Sequence, residues 1–265
     1  MSKEIDEILK PQTDIFIVEN IPDDAKKKEI DIDLNKLYER ADHELGLQQS
    51  KRDQIITIYL AIFSFLIPFA LSMEILSWQV KGLIFLATAI VGILFANIII
   101  RYRVYKEAYW LCCQTITVLF GIKQEYLKKS IIQQCYRETI YKKGKKYLID
   151  KKTREIDQNG KEKTIKKFSK AGYVKDNIFS SETIYFFIHS FITALIFGLS
   201  IGLILMFSLI VNIIIATVCS IALFIVLSAK YFTECIKIYG VLIDETHKSF
   251  NFAFSKAWFL HFYMD

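Results

Sequence analysis

Proline occurs three times and glycine ten times in 265 residues, so the residues that punctuate a chain are scarce. A fold of many short strands, or a low-complexity linker, needs far more of both. Histidine is equally sparse: His43, His189, His247 and His261 are far apart, and none stands at a metal-ligand spacing. The five cysteines (Cys112, Cys113, Cys135, Cys219, Cys235) include no C-x-x-C pair, so neither a zinc site nor a disulfide framework is legible. There is no P-loop, no G-x-G-x-x-G, no nucleophile elbow and no H-E-x-x-H. Asp244 and Glu245 are neighbouring acids, but adjacent residues on a helix point apart. The expectation is a protein that is not an enzyme and carries no cofactor and no metal.

Charge is also missing, but only locally. The chain is 53% apolar and 23% charged, with a net charge of +6, and the two kinds of residue are segregated. Apolar runs cover about residues 55–73, 82–100, 184–207 and 209–229, nearly or wholly free of charge. Each is as long as a helix needs to be to cross roughly 30 Å of hydrocarbon. One such run is compatible with a buried helix of a soluble protein; four are not. The first is no cleavable signal peptide, because the 54 residues before it are too long and too acidic. Pro68 falls near its far end, where a membrane helix tolerates a kink. Trp78, in the short loop "SMEILSWQVK", is an interfacial aromatic. The last two runs form a tight hairpin with Asn212 as the expected turn residue.

The fold class read from this pattern is an all-α integral membrane protein with four transmembrane helices in two hairpins. Five segments follow: an acidic arm and amphipathic helix (1–54), hairpin one (55–100), a basic segment (101–182), hairpin two (183–229) and an aromatic-rich tail (230–265). Between Arg101 and Glu182 there are 20 Lys and Arg against 9 Asp and Glu, whereas the two short opposite loops hold only Lys81. By the positive-inside rule the basic segment is cytoplasmic, and with four crossings so are both termini, in the inner membrane of the cell.

The stretch "FANIIIRYRVYKEAYWLCCQ" changes solvent without any Gly or Pro. Arg101, Arg103, Tyr105 and Trp110 mark the cytoplasmic exit of the second helix. The helical spacing of Tyr105, Tyr109, Cys112, Ile116 and Leu119 predicts that the helix continues, carrying the cytoplasmic segment rigidly on the second span. Residues 110–122 are too short to span and too apolar to be solvated, so they pack on other cytoplasmic segments or lie along the interface. Further on, "KYLID" and "EKTIKKF" around Asn159-Gly160 read as a β-hairpin or, alternatively, as a solvated lysine-rich loop. Residues 140–180 hold 12 lysines and one arginine. Lysine-rich and with so little arginine, the segment predicts contact with anionic lipid or with the acidic arm (net −5 over 1–54) ahead of nucleic acid. The ring cluster Phe250, Phe252, Phe254, Trp258, Phe259, Phe262 and Tyr263 suits a small core or an interfacial belt better than a ligand cage.

Polar groups inside the apolar runs face other helices or water. Asn97, His189, Thr193 and Ser200 are therefore candidates to line a path. Gly198 and Gly202, a G-x-x-x-G, allow close helix packing. His189 suits either the headgroup boundary or a water-filled path.

The pieces "LYERADHELGLQQSKRD", two spans, and "RYRVYKEAYW", with Arg101, Tyr102, Arg103, Tyr105, Tyr109 and Trp110, make the layout over residues 34–140 similar to SLATT-type membrane proteins. The second hairpin departs from that two-span pattern and resembles the four-span pore-forming effectors of the same systems. The resemblance implies a place in bacterial anti-phage defence, beside a cytoplasmic sensor protein or nucleotide signal. The expected function is a homo-oligomer in the lipid bilayer that permeabilises or depolarises the membrane on a cytoplasmic signal. The alternative is a membrane scaffold that recruits a cytoplasmic partner.

Overall fold

The structure, a computed structural model, describes residues 33–123, 127, 129–156, 162–205 and 207–239. The acidic arm before residue 33, the Asn159-Gly160 turn and the aromatic tail cluster lie outside the described residues. Helix α1 (Leu34–Ser72) starts at Asp33, whose carboxylate accepts from the backbone N–H groups of Asn35 and Lys36, each at 3.1 Å. A side chain in that position satisfies donors that the first turn leaves open. The helix runs on through the first apolar stretch and accommodates Pro68 in its last turns. A five-residue turn, 73–77, leads to Ser77, the N-cap of α2 (Trp78–Leu119).

At 1.5 Å per residue these helices of 39 and 42 residues are about 58 and 63 Å long, twice an apolar layer of about 30 Å. Each is therefore about twice as long as a helix needs to be to cross such a layer. The halves beyond the apolar runs pack on each other: Leu37 and Ala41 of α1 and Leu111, Cys112 and Ile116 of α2 share one core, and the rings of Tyr38 and Phe120 lie 6.5 Å apart. Residues 110–119 are thus packed rather than laid along an interface.

The second helix continues past Arg101 as its spacing predicts, and it ends at Leu119. The chain reverses after Leu119, and α3 (Lys129–Gly144) returns antiparallel to α2, with Thr115 bonded to Thr139 at 3.3 Å. Gly121 sits in the reversal, where its N–H turns back to the Val118 carbonyl. A short 3-10 turn, Lys145–Tyr147, leads into strand β1 (Leu148–Ile156), which pairs antiparallel with β2 (Glu162–Phe168) from Leu148 opposite Phe168 to Ile156 opposite Glu162. The hairpin reading, rather than the solvated loop, describes this segment. Its base is closed by the Ser169 N–H donating to the Tyr147 carbonyl at 2.7 Å, and Ser169 then caps α4 (Lys170–Asn177). Tyr147, Phe168, Tyr173 and Tyr239 form an aromatic core beneath it, with ring centroids 5.3–6.2 Å apart.

Helices α5 (Ser181–Leu205) and α6 (Leu209–Lys237) form the second hairpin. Asn212 is not its turn but lies in the first turns of α6. Its amide reaches back to Phe207, accepting from the N–H at 3.1 Å and donating to the carbonyl at 3.2 Å. Four helices are thus long and apolar enough to cross a membrane. In their most apolar windows α2 and α5 are 39% and 44% buried, against 11% for α1 and 6% for α6, so α2 and α5 form the centre and the other two flank them. The face that α6 leaves open carries Leu209, Ile210, Ile213, Val218, Ile221 and Val226, each more than half exposed. A patch of that kind is excluded from water in stable proteins.

Candidate functional site

All four span-length segments enter or leave one polar end of the bundle: near Arg52 on α1, Arg103 on α2, Glu182 on α5 and Tyr231 on α6. There a network of charges is buried. Arg103 and Glu107 stand one helical turn apart and pair at 3.1 Å, and Arg103 also reaches Glu182 at 2.6 Å. Lys106 pairs with Glu182 too, and Arg52 approaches the same carboxylate at 3.8 Å. Glu107 is met from the other side by Lys143 of α3 and by the Tyr239 hydroxyl, which donates at 2.7 Å. Lys143 lies 3.6 Å from the centre of the Trp110 ring. The two carboxylates keep only 8% and 11% of their side-chain surface.

Local chemistry explains each placement. Ser180 accepts from the Thr183 N–H and starts α5, which puts Glu182 in the first turn, where the helix dipole favours an anion. Thr183 and Tyr231 share a hydroxyl contact at 3.2 Å, and the Tyr231 ring stacks on Phe186 at 4.4 Å, fixing α6 against α5. Burial opposes ionisation of Glu107, but Lys143 and Arg103, with hydrogen bonds from Lys143 and Tyr239, outweigh it and hold its carboxyl below the usual range. Burial, and then the Glu107 charge, push the Tyr239 hydroxyl up, so it stays a donor. Lys106 is pulled down by burial and by the neighbouring Arg103 and Arg52. Four cations (Arg52, Arg103, Lys106, Lys143) meet the two buried carboxylates and the more exposed Asp53, which pairs with Arg52 at 2.7 Å, and the Nε of Arg103 is buried without a partner. Removing such charges from water is costly unless they satisfy one another, so the cluster fixes one arrangement of α1, α2, α3, α5 and the end of α6.

A second polar group lies deeper, between the spans. Nε2 of His189 is 2.9 Å from the Gly92 carbonyl. A carbonyl only accepts, so Nε2 carries the proton, and Nδ1 is buried without a partner. The His189 ring meets the edge of Tyr59 at 4.6 Å, and Thr193 Oγ1 lies 3.1 Å from the Tyr59 hydroxyl. A Cβ on Gly92 would fall 2.5 Å from both Thr193 Oγ1 and the Tyr59 hydroxyl. Glycine there lets α1, α2 and α5 close on one another.

The residues expected to line a path are not on one open face. His189 is 2% exposed and Thr193 and Ser200 are fully buried. His189 and Thr193 are engaged with α1 and α2 of the same chain. Ser200 donates to the Phe197 carbonyl at 2.6 Å. Gly198 and Gly202 serve close packing against Ala216, Ser220 and Asn212 of α6 in the same chain. Asn97 stands apart, accepting from Lys230 at 2.5 Å.

The exit residues also divide. Arg103 turns inward, whereas Arg101, about 200° round the helix, is exposed. Tyr105 packs against the core, and Trp110 receives Lys143. Sequence reasoning missed Arg52, Glu107, Lys143, Glu182, Tyr239, Tyr59 and Gly92. Two signals were present: Arg103 and Glu107 at i and i+4, and Glu182 as the lone acid on the threshold of the third apolar run. Among the described residues no three His, Cys, Asp or Glu side chains converge as a metal site. No family model, curated protein or solved structure matches this chain.

Proposed function

We propose that the protein is a non-enzymatic, multi-pass membrane effector that relays a cytoplasmic signal into its spans and thereby permeabilises the inner membrane. One observation carries this reading: α1 and α2 pass unbroken from the polar domain into the apolar bundle, and a buried charge cluster clamps them at the crossing. A signal that shifts α3, the hairpin or Tyr239 acts directly on Glu107, and through Arg103 on Glu182 and the second hairpin. The excess of Lys and Arg in residues 101–182 favours the cytoplasm for this domain.

The interior of one copy is filled by Tyr59, Phe85, His189 and Ile196, so conduction requires assembly of several copies or a rearrangement of the bundle. The setting that fits is the one implied by the likeness to SLATT-type and four-span effectors, bacterial anti-phage defence. The test is expression in bacteria with a potential-sensitive dye, with the mass of the purified particle measured in parallel. The expected result is a homo-oligomer that depolarises cells when its trigger is present. A monomer that never changes membrane potential supports the membrane scaffold instead.

A further inference from the structure

A recess of about 140 Å³ opens between α2 and α6 at the polar end of the bundle, roughly ten times the space one water needs. It is lined by Asn97, Arg101, Tyr105, Lys230 and Glu234, over a floor of Ile100 and Val104. Arg101 and Lys230 are the first cations after the apolar runs of their helices. Arg101 has no acidic partner among the described residues, and the group bonded to Lys230 is the neutral amide of Asn97. Glu234 is paired with Lys237 at 2.5 Å, which offsets its charge.

Two apolar tracks lead away from these cations along the bundle surface. On α2, Ile90 and Leu94 precede Asn97 and Arg101 at spacings of four, three and four, so all four share one stripe. Ile90 and Leu94 are 49% and 56% exposed. On α6, Val226 lies one turn before Lys230 and is 61% exposed.

We infer that this recess binds the headgroup phosphate of an anionic glycerophospholipid, with its acyl chains laid along the exposed aliphatic stripes of α2 and α6. A free phosphate satisfies Arg101 and Lys230 equally well but gains nothing from the two tracks. A zwitterionic lipid brings its own cation to a site that already holds two. The inference rests on the membrane placement of the four helices and is independent of pore formation.

The test uses the full chain in detergent, with dioctanoyl phosphatidylglycerol, dioctanoyl phosphatidylcholine and inorganic phosphate as separate probes, read by native mass spectrometry and thermal shift. Phosphatidylglycerol is expected to bind more tightly than phosphatidylcholine, and phosphate at the same concentration should not displace it. A basic group near an anionic headgroup contributes about fivefold, so R101Q/K230Q should bind phosphatidylglycerol about thirtyfold more weakly. Its affinity for phosphatidylcholine should be unchanged. K170Q, on the surface of the polar domain, should behave as the native chain does. Equal affinity for the two lipids, full displacement by phosphate, or undiminished binding by R101Q/K230Q overturns the proposal. The two-lipid comparison on the native chain decides it even where the double variant fails to fold. Loss of the lipid site with depolarisation intact would leave the effector reading standing.

Discussion

Glu107 is touched by a cation from its own helix, a cation from α3 and a hydroxyl from beyond α6, so it is the side chain on which the polar domain converges. Replacing it with glutamine leaves Arg103 and Lys143 facing one another with one anion fewer. Loss of one member of a buried pair costs about 3 kcal/mol or more. The pH dependence has a definite sign. Glu107 titrates below the 4.5 of a free glutamate, so its stabilisation is complete above that value and is lost as pH falls through its folded value. Amide hydrogen exchange of residues 103–147 should show protection falling below about pH 4.5 in the native chain. In Glu107→Gln it should already be reduced at pH 7 and nearly flat in the same range. An unchanged acid limb in the variant would remove Glu107 from this role. Little of this was readable beforehand: Arg103 and Glu107 are neighbours on one helix face, but Arg52, Lys143, Glu182 and Tyr239 join them from distances in the chain that no local period reports.

At the scale of elements, the long helices were legible because nothing in residues 34–72 or 78–119 interrupts them apart from Pro68, which the helix absorbs. Strand β2 coincides with the predicted "EKTIKKF", whereas β1 runs from Leu148 to Ile156, beyond the "KYLID" first read. The reversal after Leu119 was not legible, since a single glycine marks it and the apolar period carries on beyond. Asn212 was misplaced for a related reason: a turn residue and a side chain that ties down a turn from within the helix look alike in sequence. The continuity of α2 has a direct test. Val104 is buried one residue past Arg103, and proline there removes a helical hydrogen bond and costs roughly 3 kcal/mol. Val104→Pro should insert with unchanged topology and lose triggered depolarisation. Full depolarisation by this variant would show that α2 is not the route of transmission.

For the whole molecule, the segregation of charge from apolar residues made four span-length helices readable, because no packing detail is needed to see it. Which of them form the centre was not, since all four are similarly apolar and only the small residues Gly92, Gly198 and Gly202 decide the contacts. The orientation proposed from charge is tested by labelling. In a background with the five cysteines replaced by alanine, Ile75→Cys should react with an impermeant maleimide on intact cells. Lys170→Cys should react only after the membrane is opened. The reverse pattern would invert the topology and place the charge cluster outside the cell.

The clamp divides α2 unequally. From Arg103 it is 16 residues to Leu119 and 25 to Trp78, about 24 and 38 Å of helix. A rigid rod turning about such a fulcrum swings its two ends in opposite senses, the longer arm moving about 1.6 times as far as the shorter. A partner that pushes the Leu119 end of α2 by about 2 Å would therefore displace Trp78, at the far end of the helix, by about 3 Å the other way. The Trp78 ring holds Lys81 at 4.7 Å, and Lys81 in turn donates to the Leu71 carbonyl of α1. The outer rim of the first hairpin is thus where a small inward push would arrive enlarged.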